Sequence, residues 1–235
     1  MIRTLIITAL LAVGFRWFIY EPFTIPSQSM EPTLLVGDYI LVAKYAYGLN
    51  RFTTPLPISA GGRLFARTPE RGDVVVFRSP RQPDVDFVKR VIGLPGDRVQ
   101  MIDGLLHING DAVRRQPLEP YPHRRPDGRI ERAPQYIESL PGGLEHRIIE
   151  VDGDTGRRDN TQDYNIPSGF MLMMGDNRDR SMDSREPSVV GLVPVDHLVG
   201  RAEWVFFSLA GGARLQEVWR WPWAARLDRL GRTIR

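Results

Sequence analysis

The chain has 235 residues, 42% of them apolar and 25% charged, and a formal net charge of +3. That balance excludes a disordered polymer and leaves room for one sizeable domain, or one domain carrying an insertion. Cysteine is absent, which excludes disulfides and thiolate catalysis, and the basic excess is dispersed, which fits an anionic membrane surface better than a nucleic acid.

With 19 prolines and 22 glycines the chain reads as short strands joined by many turns, a mainly β protein rather than a helical bundle. Its first segment is the exception. Thr4–Tyr20 is apolar apart from Arg16 and has the length of a short membrane span. A cleaved leader is disfavoured because Phe18-Ile19-Tyr20-Glu21-Pro22 lacks small residues. A buried core helix and an uncleaved anchor remain, and the anchor fits better, with Trp17 and Tyr20 at the interface and Arg16 snorkelling. Arg3 and the terminal amine favour a cytoplasmic N-terminus, against which Arg16 counts.

Next comes Ile25-Pro26-Ser27-Gln28-Ser29-Met30-Glu31-Pro32-Thr33-Leu34, two serines framed by two prolines. Each proline fixes its own φ and drives the preceding residue towards extended backbone, so the stretch reads as a strand end leading into a constrained loop that presents Ser29. Turn serines are commonplace, and a rigidly displayed hydroxyl also suits a nucleophile; both readings stand at this point.

Gly37-Asp38 opens a strand through Lys44, residues 48–70 read as a loop, and Arg71-Gly72-Asp73 turns into the strand Val74-Val75-Val76-Phe77. Asp86–Ile92 is the next strand. Alternation puts Phe87, Lys89 and Val91 on one face and Asp86, Val88 and Arg90 on the other, so Lys89 sits among apolar neighbours while Arg90 points away. Either its stem packs and its ammonium snorkels, or a desolvated amine has a lowered pKa and can act as a base. Val99–Val113 reads as a short hairpin turning at Asp103-Gly104 and Asn109-Gly110. From Arg114 to Asn160 only Gln135–Leu140 and His146–Val151 look like strands, which points to an insertion or β-subdomain with loose requirements.

Ser168, in Pro167-Ser168-Gly169, is hairpin punctuation before the strand Phe170–Met174. Gly175–Arg185 interleaves acids with arginines. A calcium loop counted from Asp179 fails, because Ser184 and Val190 hold the positions that need Gly and Glu. A solvated charge run and a hydrogen-bonded support for an active site remain open. Gly191–Ser208 returns to strand character, and the Arg- and Trp-rich tail from Ala210 either touches a membrane interface or packs on the domain.

The four histidines, His107, His123, His146 and His197, are isolated, without metal-ligand spacing. A Ser-His-Asp triad stays open with four histidines, although no Gly-x-Ser-x-Gly elbow occurs, and there is no phosphate-cradling loop. A serine in a constrained loop and a lysine on an apolar strand face remain, the ingredients of a Ser–Lys dyad.

On this evidence the chain resembles the bacterial type I signal peptidases, membrane-anchored serine proteases of the Ser–Lys class. The resemblance rests on Pro26–Leu34, Gly37-Asp38, Arg71–Phe77, Lys89–Asp97 and Gly175–Arg185, in that order after an apolar N-terminus. It covers nearly the whole chain outside 110–160. It implies an antiparallel β catalytic fold, shared with self-cleaving repressor proteases, with a β-rich insertion and one preceding transmembrane helix. The expected layout is an anchor at 1–20, catalytic β-structure at 21–109 and 166–209, an accessory subdomain at 110–165 and a tail at 210–235. By the same resemblance Ser29 matches the nucleophile and Lys89 the general base. Ser27 and the Ser29 backbone N–H match the oxyanion hole. Ser181 matches a serine that orients the lysine, and Asp183 with Arg185 a supporting pair. Ile25, Pro26, Met30, Leu34, Phe87 and Val88 match the lining of the substrate pockets. The implied substrate is the signal peptide of an exported preprotein, cut after a small-x-small motif at the outer face of the inner membrane. Membrane lipid is the other implied partner, with no cofactor, metal or nucleic acid. The chain departs from many relatives in having Gln28 rather than Gly between the serines, and from some in having a single apolar segment and no cysteine. Two other classes stay open: a cytosolic self-cleaving protease, against which the apolar N-terminus argues, and a tethered β-domain that binds peptides without cutting them.

Overall fold

A computed structural model describes residues 2–54, 58–59, 62–125 and 127–235. It opens with helix α1 (Ile2–Phe18), followed by the strands β1 (Tyr20–Thr24), β2 (Asp38–Ala43), β3 (Val74–Arg78) and β4 (Asp86–Gly93). A second group contains β5 (Arg98–Ile102), β6 (Leu105–Ile108), β7 (Asp111–Ala112), β8 (Arg114–Arg124), β9 (Ile130–Ser139) and β10 (Glu145–Ile149). The chain then returns through β11 (Tyr164–Asn165), β12 (Phe170–Met174), β13 (Val193–Pro194) and β14 (Leu198–Ser208), and ends with the short helix α2 (Trp221–Ala224) and β15 (Arg232–Thr233). The fold is mainly β.

The large sheet runs β1-β2-β14-β3-β4-β12-β13, with β15 added beside β14. Both of its faces are covered. Val74 and Val76 pack with Ile25, Met30, Leu34 and Ile40 on one side. Val75 and Phe77 pack with Val91, Met171 and Met173 on the other. An unbroken apolar run therefore suits β3, where simple alternation would suit a half-exposed strand. The β5–β6 hairpin turns at Asp103-Gly104 and continues through Asn109-Gly110, and all four residues have positive φ, as these tight turns require.

Three expectations change. The segment 4–20 does not form one helix. Tyr20 leaves α1 to pair with Ala43 in the sheet, and its hydroxyl donates to Glu203, so the helix has 17 residues. Among the described residues no helix is long and apolar enough to cross a membrane. The region from Arg114 holds three strands in the order β10-β9-β8, not two. β8 was hidden by Pro117, Pro120 and Pro122, but it is an edge strand with a register shift between Leu118 and Tyr121, where missing amide donors are tolerated. The strand expected from Gly191 is two elements, because Val195–His197 form a turn between β13 and β14. Of the loop read at 48–70, residues 55–57 and 60–61 lie outside the described residues.

The tail is fastened to the sheet. β15 pairs with β14, and the buried Arg229 forms an ion pair with the buried Asp38. Trp221 packs on Phe207, while Trp219 and Trp223 stay exposed.

Candidate active site

After β1 the chain turns at Pro26 into a single 3-10 turn, Gln28–Met30, whose flanking residues Ser27 and Glu31 are both extended. Met30 is sunk in the core next to Ile25, and this anchor fixes the turn that carries Ser29. Ser27 Oγ lies 3.3 Å from Ser29 Oγ. Lys89 arrives from the middle of β4, opposite Val75 on β3. Its Nζ is 2.6 Å from Ser29 Oγ and 3.0 Å from the carbonyl of Val88, and it stands over the Phe87 ring.

Lys89 is only 3% exposed, and no carboxylate among the described residues is in ion-pair contact with its amine. Burial pushes its pKa down to about 8; Asp183 and Asp176 act at longer range in the opposite sense, and Arg185 adds to the lowering. The amine can thus be neutral near physiological pH and accept the Ser29 proton. Among the described residues the four histidines make no hydrogen bond to Ser29; His146 is buried, with its imidazole pushed down to about 4 by burial and by Arg90.

The polar segment after β12 is a buried network. Gly175 N–H donates to Asp183, which is gripped by Arg185 through two bonds of 2.9 Å. Burial alone would raise the Asp183 carboxyl, but Arg185 together with the Gly175 N–H and Ser181 outweighs it and holds the group below the usual range. Gly175 leaves no room for a side chain: a Cβ there would stand 2.3 Å from Ser181 Oγ and 2.4 Å from the Ser29 carbonyl. Asn177 N–H donates to that same carbonyl. Ser181 is fully buried, but its hydroxyl makes no hydrogen bond to Lys89 and lies against Gly175, near Asp183.

Arg90 does point away from Lys89, but not to solvent. It is fully buried and holds Asp176 with bonds of 2.8 and 2.6 Å, while Thr33 donates to the same carboxylate. Arg178 pairs with Glu138 on β9, and Ile149 at the end of β10 bridges to Asn177. These buried links fasten the three-stranded sheet to the loop of Asn177 and Arg178, whose Asn177 N–H holds the serine turn. The Asp183–Arg185 pair lies within the segment, as expected, but the partners of Asp176 and Arg178 do not follow from the sequence, because Arg90 and Glu138 lie on distant strands.

A cavity of about 520 Å³ opens beside the dyad, lined by Ile25, Pro26, Ser27, Ser29, Met30, Phe87, Val88 and Lys89. Leu34, expected among them, is instead wholly buried in the core behind Ile25 and Met30. Arg180 and the exposed Met182 also line the cavity; they lie in the polar segment Gly175–Arg185, but their spacing gives no sign that they face the pocket.

A family model described as signal peptidase, peptidase S26, matches residues 1–207. A signal peptidase I of Rickettsia typhi is 39% identical over 207 residues, covering 84% of this chain and 76% of the relative. That of Rickettsia prowazekii is 38% identical with the same coverage. The crystal structure of a signal peptidase I from Enterococcus faecalis V583 shares 27% identity, covers 57% of this chain and 97% of that one, and has a TM-score of 0.33. With the family match spanning most of its length, the chain belongs to the signal peptidases of the peptidase S26 family, serine endopeptidases of the signal peptidase I type.

Proposed function

We propose that the chain removes signal peptides from exported preproteins, cutting after a small-x-small motif, with Ser29 as nucleophile and neutral Lys89 as general base. The carrying observation is the 2.6 Å contact between Lys89 Nζ and Ser29 Oγ in a buried setting. At a pKa of about 8, roughly a tenth of the lysine is neutral at pH 7, against a few parts in ten thousand for an ordinary lysine.

The substrate would lie extended between Thr24–Pro26 and the start of β4. Among the described residues both segments offer unpaired edges: β1 pairs only with β2, and β12 meets β4 only from Arg90 onward. Main-chain hydrogen bonds along such edges bind a peptide as an added strand, and the apolar wall of Ile25, Met30, Phe87 and Val88 would favour small apolar side chains beside the cut. In the first step the Ser29 proton moves to Lys89 Nζ while Oγ bonds to the scissile carbonyl carbon. Ser27 Oγ and the Ser29 N–H receive the oxyanion. As the peptide C–N bond breaks, the Lys89 ammonium returns its proton to the leaving amine. Water, deprotonated by Lys89, then cleaves the Ser29 ester and regenerates the serine. Asp183, Arg185 and Ser181 support this arrangement by packing beneath the serine turn. The apolar helix α1, with Ile2, Leu5, Ile6 and Ile7 exposed, would hold the β-structure against the membrane lipid, on the extracytoplasmic side of the inner membrane. In this reading the chain divides into an anchor that ends at Phe18, catalytic β-structure before and after an accessory region at 110–165, and a tail from 210, and no metal, cofactor or nucleic acid enters the scheme.

The test is cleavage of a detergent-solubilised preprotein by wild type, Ser29→Ala and Lys89→Met, read by product mass. Cutting after a small-x-small site by wild type alone supports the dyad. Cutting by either variant removes that residue from the chemistry, and no cutting by folded wild type favours a peptide-binding role.

A further inference from the structure

The Ser29 turn is gripped at both ends by consecutive residues of β8. At its start, Gln28 Nε2 donates to the carbonyl of Arg124 at 2.8 Å. At its end, Glu31 Oε2 meets His123 Nδ1 at 3.2 Å. His123 is 1% and Glu31 7% exposed, so the second contact is a buried pair. Burial raises the Glu31 carboxyl, and His123 pulls it back. From the opposite side Asn177 Nδ2 donates to the Gln28 carbonyl, and Asn177 N–H to that of Ser29. Three residues of turn are therefore held from two directions. The Asn177 side belongs to the network beneath the dyad; the β8 side has no part in the chemistry described so far.

We propose that His123 and Glu31, together with the Gln28–Arg124 bond, form a clamp through which the accessory sheet sets the position of Ser29 Oγ against Lys89. Both are positioning residues, since neither touches the reacting atoms. The proposal rests on Ser29 being the nucleophile. It gives Gln28 a use: a glycine between the two serines has no side chain to reach β8, whereas the glutamine amide spans the gap. It also explains why a proline-rich edge strand ends beside the turn, since its last two residues supply one side-chain and one main-chain partner. A nucleophile displaced by about 1 Å can lose on the order of a hundredfold in rate, so a contact remote from substrate can govern turnover.

The experiment compares wild type, His123→Ala, His123→Asn, Glu31→Gln and Gln28→Gly in the full chain. Asparagine keeps an N–H donor near the place of Nδ1. Readouts are kcat and KM on a preprotein, the rate of Ser29 acylation by p-nitrophenyl acetate, which is too small to need the peptide groove, and the thermal midpoint. His123→Ala is expected to lower kcat and the acylation rate by the same factor, roughly ten- to a hundredfold, with KM within about twofold. His123→Asn should recover most of that loss, and Gln28→Gly should show a weaker form of it. Arg125→Ala, which removes an exposed ion pair with Glu131 in the same hairpin, should leave all four readouts unchanged. A folded His123→Ala with wild-type kcat overturns the clamp, as does a loss confined to KM or one that follows the thermal midpoint and is not recovered by asparagine. If His123→Ala does not fold, an unchanged kcat and acylation rate in folded Gln28→Gly overturns it equally. Ser29→Ala is run alongside: acylation that survives there defeats the nucleophile assignment itself, a result separable from failure of the clamp.

Discussion

Lys89 and Arg90 are consecutive residues of β4 that face opposite sides of the same sheet, 3% and 0% exposed. Arg90 reaches a region built of polar groups, where Asp176 takes two of its N–H bonds and the Gly72 carbonyl a third. Lys89 reaches a region built of Phe87, Val88 and the serine turn, where its partners are a hydroxyl and a carbonyl. Burial is similar for both, but the counter-ion differs and so does the cation, since a guanidinium stays protonated in proteins whereas a desolvated ammonium can lose its proton. A buried cation with a bidentate carboxylate keeps its charge and becomes scaffold. One without such a partner gives up part of its affinity for the proton and becomes a base. Two adjacent positions thus divide structural and chemical roles by what packs against them.

The largest effect should come from emptying the Lys89 side. Lys89→Met is expected to lower kcat by on the order of 10⁴-fold or more while leaving the thermal midpoint unchanged or higher, since an apolar side chain replaces a costly buried amine; cleavage kinetics and thermal melts read both at once. Arg90→Met should do the reverse. It strands the Asp176 carboxylate and should cost about 3–5 kcal/mol of stability by denaturant unfolding; a loss below about 1 kcal/mol would mean that the two faces do not differ as described. Next is Ser27→Ala, with a loss of about 10²–10³-fold in kcat if its hydroxyl helps to hold the oxyanion. The pH profile sharpens the contrast further. The active form of Lys89 is the neutral one, so kcat/KM should rise about tenfold per unit below pH 8 and level off above it. A profile flat from pH 6 to 9 would disconnect Lys89 from proton transfer. The smallest effect belongs to Asp152→Ala, which breaks a roughly half-exposed pair with Arg180 and should change stability by under about 1 kcal/mol, as surface pairs do.

The local grammar of the chain was legible before any coordinates. Glycine-aspartate and asparagine-glycine turns, the apolar run of β3 and the alternation in β4 depend on neighbours a few residues away, and these readings match the fold. The serine turn was legible for the same reason, because Pro26 and Pro32 constrain their own neighbours. The length of α1 was not, because Tyr20 is drawn out of the helix by Ala43, Tyr45 and Glu203. β8 was not, because an edge position in a sheet excuses prolines that a local reading penalises.

At the site, sequence alone determined which side chains were available: a displayed serine, a lysine on an apolar face and a block of paired charges. Only the tertiary structure decided which of them meet. It brought Lys89 within hydrogen-bond reach of Ser29 across 60 residues, buried Leu34 behind the cavity, turned Ser181 towards Gly175 and set His123 against Glu31. The physical reason is that turns and strand faces follow from bonded neighbours and φ/ψ preferences. Desolvation, charge pairing and close approach instead depend on strand order and register, which place distant parts of the chain side by side.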